Sequence, residues 1–280
     1  MNAYFRLMRL DKPVGIYLLL WPTLWALFLA ADGWPSVKLS IIFVLGVVLM
    51  RSAGCVINDY ADRKIDQFVD RTKNRPITSG EVLAGDALKL FFALVIVAFI
   101  LVLFTNVLTI QLAVVAVFLA ILYPFTKRWT HLPQFVLGSS FAMSVPMAFA
   151  ATNNSVPDSV WWVFAATIVW TVIYDTMYAM ADREEDLKIG VKSTAVLFAQ
   201  YDRLILGLLQ IGLIFIFIKI SEIFILGIFY DISLLLVVIL MIYHQFLIKN
   251  QEKSACFRAF LHNNYIGLVI FAGIALSVTQ

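Results

Sequence analysis

Charge is scarce in this sequence. Asp, Glu, Lys and Arg together make up 14% of its 280 residues, against 62% hydrophobic side chains, and the mean hydropathy is +0.90. A chain with so little charge cannot cover a water-facing surface of that size or bind nucleic acid through a basic face. The balance predicts an all-α integral membrane protein, and the length suits one helical bundle, with residues 1–280 forming a single domain. Cysteine is almost absent: Cys55 and Cys256 have neither metal-ligand spacing nor a disulfide framework, and they read as small buried thiols. Histidine is equally rare, and His131, His244 and His262 also lack ligand spacing and read as interfacial side chains. The first apolar run is long, contains Pro22 and has no small-residue cleavage pattern after it, so it is expected to be a membrane span and not a cleaved signal.

What is present is a series of apolar runs, each about twenty residues long, the length that crosses the bilayer core. They fall at about 13–31, 39–57, 86–104, 107–123, 132–151, from Trp161-Trp162 through a second acidic stretch, 203–220, 229–248 and 263–278, which predicts nine spans. Thr78-Ser79-Gly80-Glu81 has the form of a capping box that would start the third. The Trp residues read as membrane-interface anchors. Of the 21 Lys and Arg residues, only Lys38 and Lys219 fall on one side of this arrangement. Basic residues collect on the cytoplasmic side, which puts the N-terminus inside and, after an odd number of spans, the C-terminus outside.

Two stretches depart from the apolar pattern. Asn58, Asp59, Asp62 and Asp66 close the second run, and on a helix they share one face, within about 100°. Ala181-Asp182-Arg183-Glu184-Glu185-Asp186 then repeats the A-D-R-x-x-D frame of Ala61-Asp62-Arg63-Lys64-Ile65-Asp66, 120 positions later. Asp175, Tyr178, Asp182 and Asp186 again share a face, within about 80°. Both frames end even-numbered spans, so the count alone places them at the same, cytoplasmic depth. Asp59 and Asp175 lie deeper, where a carboxylate costs about 2.5 to 3.5 kcal/mol at mid-bilayer and calls for a partner or a role.

Two facing sets of carboxylates suit a hard cation such as Mg²⁺, which takes oxygen ligands and is usually shared between one or two carboxylates and substrate phosphate. Basic residues beside each cluster, Arg63, Lys64, Arg71, Lys73 and Arg75, then Lys188 and Lys192, are candidates to neutralise phosphate oxygens. Metal plus diphosphate at the mouth of an apolar cavity suits a polyprenyl diphosphate, its head in the polar end and its tail in hydrocarbon.

The same residues carry a family resemblance. Asn58-Asp59-x-x-Asp62-x-x-x-Asp66 with Asn74-Arg75-Pro76-Ile77, and Tyr174-Asp175-Thr176-x-Tyr178-Ala179-x-x-Asp182-x-x-x-Asp186 with Gly190-x-Lys192-Ser193-Thr194, resemble the paired signatures of the UbiA membrane prenyltransferases. Leu10-Asp11-Lys12-Pro13-Val14-Gly15, Leu20-Trp21-Pro22-Thr23-Leu24-Trp25-Ala26 and Tyr123-Pro124-Phe125-Thr126-Lys127-Arg128 are similar to the bacterial members that alkylate 4-hydroxybenzoate. The resemblance implies nine transmembrane helices around a central cavity open to the cytoplasmic side of a bacterial inner membrane, with the C-terminus periplasmic. It also implies Mg²⁺-assisted departure of diphosphate and prenylation of 4-hydroxybenzoate ortho to its hydroxyl, a step of ubiquinone biosynthesis.

On this reading Asp62, Asp66, Asp182 and Asp186 hold metal with diphosphate, and Asn58 and Asp59 support them. Arg63, Lys73, Arg75 and Lys192 face the diphosphate, and Tyr178 is a hydrogen-bond partner or packing. Asp175 positions or deprotonates the acceptor. Its carboxylate is assigned to Arg128 in preference to Lys127, because a guanidinium matches a carboxylate bidentately. No obligate protein partner is indicated. Two rivals are a divalent-cation transporter, whose carboxylates would line a path across the whole bilayer, and a prenyltransferase for haem, naphthoate or homogentisate.

Overall fold

The computed structural model describes residues 2–68 and 72–280, and among them every regular element is helical. A short α1 (Ala3–Leu7) precedes the spans α2 (Val14–Ala31), α3 (Val37–Asp62), α4 (Ala84–Val102) and α5 (Val107–Thr126). A broken span follows, α6 (Pro133–Ala142) and α7 (Ser144–Asn153), then α8 (Val160–Ile189), a short α9 (Thr194–Phe198), α10 (Asp202–Phe224), α11 (Ile228–Leu247) and α12 (Lys253–Val278). Nine helical segments among the described residues are long and apolar enough to cross a membrane. Successive spans must alternate in direction, so the C-terminal ends of α3 and α8, the second and sixth spans, emerge at the same end of the bundle.

The span count agrees with the sequence reading, and several boundaries differ for physical reasons. The fifth span breaks at Met143 because Pro146, inside α7, lacks an N–H and its ring crowds the carbonyl of Ala142. The last span starts at Lys253 instead of 263. Its first ten residues carry Lys253, Arg258 and His262, which hide a helix from a hydropathy argument but do not prevent one. The expected capping box does not cap: α4 starts at Ala84 behind Leu83, and Glu81 instead pairs with Arg6 of α1. α3 ends at Asp62, and Asp66 sits in a separate 3₁₀ turn, Asp66–Phe68, so the carboxylates of the first frame do not share one continuous helix.

The core is built around Trp25, Trp170 and Phe217, from α2, α8 and α10. The Trp25 and Trp170 ring centroids stand 5.3 Å apart, Phe217 meets Trp25 edge-on at 5.8 Å, and the Trp25 indole donates to the Gly267 carbonyl at 3.0 Å. These two Trp residues are therefore packing elements, while Trp34, Trp129, Trp161 and Trp162 are exposed, as anchors would be. His244, in the last turn of α11, is fully buried and packs against His262. Gly267 lets α12 approach: a Cβ there would overlap the rings of Trp21 and Trp170. Gly267→Ala is expected to destabilise the bundle by about 1–3 kcal/mol through overpacking, although helix propensity alone favours Ala. A melting temperature in detergent at or above that of the parent protein would contradict this.

Candidate active site at the acidic end of the bundle

Both acidic frames open onto one cavity of about 960 Å³. Asp59, Asp62 and Asp66 line it from α3 and the turn after it, and Asp175, Asp182 and Asp186 line it from α8. The α8 set is delivered by spacing. Steps of seven and four residues keep the three carboxylates within about 40° on a helix, and α8 runs until Gly190, left-handed at φ 72°, accepts the reversal. Deeper in, the walls are apolar, with Ile42 and Val47 from α3, Val95 and Val102 from α4, and Ala113 and Val117 from α5.

At the mouth, the carboxylates are met by the chain's own cations. Asp59, 1% exposed, receives the Arg9 guanidinium on both oxygens at 3.2 and 3.1 Å, and Arg75 lies 3.1 Å from its Oδ1. Arg75 also donates to Asp66 at 2.8 Å, and Thr72 donates to the Asp66 backbone carbonyl at 3.1 Å. Burial pushes the Asp66 carboxyl above the ordinary carboxylate range, and Arg75 works against that. Burial also opposes the charge on Arg75, but the Asp59 and Asp66 carboxylates outweigh it and keep the guanidinium more firmly protonated than usual.

Asp62 forms an ion pair with Lys127, and its Oδ1 is buried without a hydrogen-bond partner among the described residues. An unpaired buried carboxylate oxygen is costly, and it is the donor type a divalent cation takes. No three His, Cys, Asp or Glu side chains among the described residues converge closely enough to enclose an ion by themselves. The site therefore suits an ion that completes its shell with ligand oxygens, as Mg²⁺ does with phosphate.

Further into the cavity lies Arg51, eleven residues before Asp62 on α3. Its Nη1 donates to the Cys55 thiol at 3.0 Å, a weak acceptor, and its Nε is buried without a partner. Asp175, Tyr123 and Tyr174 are near enough to act on it electrostatically. Asp175 stands beside Gln134 of α6, which also lines the cavity and whose Oε1 accepts the Thr194 backbone N–H at 3.1 Å. One amide thus ties α6 to the start of α9 next to the acid.

Among the remaining sequence-predicted residues, Asn58, Tyr178 and Lys192 line the cavity. Tyr178 packs edge-on against Phe260 at 4.9 Å, and the Lys192 ammonium donates to the Trp129 carbonyl at 3.3 Å. Arg63 and Lys73 are not among its lining residues. The Arg63 guanidinium folds back over the Tyr60 ring at 4.2 Å and donates to the Tyr60 carbonyl. Arg71 lies outside the described residues.

Arg128 does not enter the cavity either. It donates to the Ala61 carbonyl at 2.9 Å and stacks on Phe125, because neighbouring residues at a helix end point about 100° apart and Lys127 takes the inward position. The sequence reading missed Arg9, Arg51 and Gln134 and passed over Lys127. Arg51 had a visible signal, since it is an ionisable residue interrupting an apolar run.

The UbiA prenyltransferase family model matches residues 19–266, most of the chain. This chain belongs to the UbiA prenyltransferase family. A curated UbiA-family relative, 4-hydroxybenzoate octaprenyltransferase of Vesicomyosocius okutanii, is 71% identical over 271 residues, which is 97% of this chain and 99% of the relative. Among solved structures, the apo form of a UbiA homolog from Aeropyrum pernix K1 superposes with a TM-score of 0.82 at 25% identity, over 94% of this chain and 97% of that one. A UbiA homolog from Archaeoglobus fulgidus bound to GPP and Mg²⁺ shares the fold, with a TM-score of 0.76 at 17% identity, covering 98% and 100%. The protein is thus an all-helical, multi-pass membrane member of the UbiA family.

Proposed function

We propose that this UbiA-family protein transfers a polyprenyl group from polyprenyl diphosphate to the ring carbon of 4-hydroxybenzoate next to the hydroxyl. The observation that carries the reading is one cavity with a carboxylate-and-cation mouth, a buried guanidinium behind it and apolar walls beyond. The 71% identical relative, a 4-hydroxybenzoate octaprenyltransferase, supports the acceptor. Asp62, Asp66, Asp182 and Asp186 would hold Mg²⁺ together with the diphosphate. When bound, the ion would offset negative charge gathering on the departing diphosphate.

Arg75, Lys127 and Lys192 bind diphosphate oxygens from the same mouth, and Asn58 and Asp59 keep the carboxylate shell in place. Arg51 takes the benzoate carboxylate, a role that replaces the one expected of Arg128. The C–O bond to the diphosphate breaks and its electron pair leaves with the diphosphate. The allylic carbon bonds to the ring, and the ring then loses its proton. Asp175, which lines the cavity beside Gln134, orients the phenol and is positioned to receive a proton. The positive-inside distribution supports a cytoplasmic mouth and N-terminus, a periplasmic C-terminus and a place in the bacterial inner membrane, with the whole chain acting as one domain.

The test is purified protein in detergent supplied with 4-hydroxybenzoate and polyprenyl diphosphates, with Mg²⁺ or with chelator. One prenylated hydroxybenzoate per diphosphate released, only with the divalent ion, is expected. Mg²⁺ uptake into proteoliposomes without prenyl turnover would instead favour a transporter.

A further inference from the structure

Gly15 stands in the first turn of α2, buried and on the cavity wall, and its backbone does not explain why it is glycine. It is absent from the positive-φ residues, so an L-residue fits the conformation, and helix propensity favours Ala at such a position. What Gly15 supplies is space. A Cβ there would lie 2.6 Å from Nε and 2.9 Å from Cζ of Arg51, inside the contact distance of those atoms. The guanidinium therefore rests on the bare Cα of α2, while Cys55 touches it on its own helix and the Phe141 ring stands 6.0 Å away.

We propose that Gly15 is the positioning residue that sets acceptor specificity. By leaving room for the Nε side of the Arg51 guanidinium against α2, it keeps that group on the cavity wall with its Nη end toward the carboxylate of a small aromatic acceptor, without taking part in diphosphate binding. The inference rests on the assignment of Arg51 to the acceptor carboxylate. The obstructing atoms belong to the far end of a flexible side chain, so a methyl at this position displaces the guanidinium and leaves the helix packing of α2 and α3 intact.

The experiment compares Gly15→Ala, Arg51→Ala and the double variant in detergent. Measurements are steady-state constants for 4-hydroxybenzoate and the prenyl diphosphate, equilibrium binding of radiolabelled 4-hydroxybenzoate, preference for it over the neutral 4-hydroxybenzyl alcohol, and melting temperature. Gly15→Ala is expected to raise the acceptor KM about tenfold or more, as loss of a charged hydrogen bond does. Acceptor binding weakens in parallel and the preference over the alcohol collapses, with the donor KM and the melting temperature unchanged. In the Arg51→Ala background the Gly15 substitution should add nothing further.

Unchanged acceptor constants in folded Gly15→Ala, an undiminished effect without Arg51, a parallel loss of donor and acceptor binding, or a lowered melting temperature would each overturn the proposal and leave Gly15 a packing residue. Arg51→Ala with an unaltered acceptor KM would instead refute the Arg51 assignment beneath it.

Discussion

Asp62→Ala and Asp182→Ala are each expected to lower the rate of prenyl transfer by about 10³-fold or more, in proteins that still insert and purify as folded bundles. The two residues lie 120 positions apart on different helices and line the same cavity. If each supports the departure of one diphosphate, loss of either removes charge stabilisation that the other cannot supply. Because residues that act as a unit are strongly non-additive, the double variant should be little worse than either single one. Asp62 also neutralises Lys127, so Asp62→Asn, which keeps the volume, should lose activity to a similar extent. Retained turnover in both alanine variants would remove the metal-and-diphosphate account.

Arg51→Ala is the second large effect. A cation lining an apolar cavity and bonded, among the described residues, only to a thiol is worth most when a carboxylate meets it away from water, and removing one side of such a buried pair costs about 2–5 kcal/mol. The expected result is a fall in kcat/KM for 4-hydroxybenzoate of about a hundredfold or more, concentrated in the acceptor KM. The donor KM stays near its original value. Arg128→Ala should leave the acceptor KM in place, because Arg128 is committed to the Ala61 carbonyl and Phe125 outside the cavity. The reverse pattern, with Arg128 setting the acceptor constant and Arg51 without influence, would restore the sequence-based choice.

The contrast between these two arginines shows where sequence reasoning stops. Hydropathy and the repeated A-D-R-x-x-D frame were enough to count nine spans and to put both acidic sets at one end, because run length, alternation and helical spacing are local quantities. The frame overstated the likeness of its two copies. α8 carries Asp182 and Asp186 on one uninterrupted helix, whereas α3 stops at Asp62 and delivers Asp66 from a 3₁₀ turn.

The arginines of the frame also diverge. Arg63 folds onto Tyr60, and Arg183 turns away to pair with the buried Asp202 of α10 and with Gln251. Which of Lys127 and Arg128 faces inward depends on where α5 ends, and that is set by packing. Arg51 was legible as a charge within a span, but the glycine that makes room for its guanidinium is a long-range contact between α2 and α3.

In the proposed mechanism both acidic ends grip a single diphosphate. The most direct measurement is binding of Mn²⁺ and inorganic pyrophosphate to the purified protein, followed by electron paramagnetic resonance and titration calorimetry, in the parent chain and in Asp62→Ala and Asp182→Ala. One pyrophosphate per chain is expected, bound together with the metal and weakened by either substitution. Two independent sites, each abolished by one substitution and untouched by the other, would contradict it.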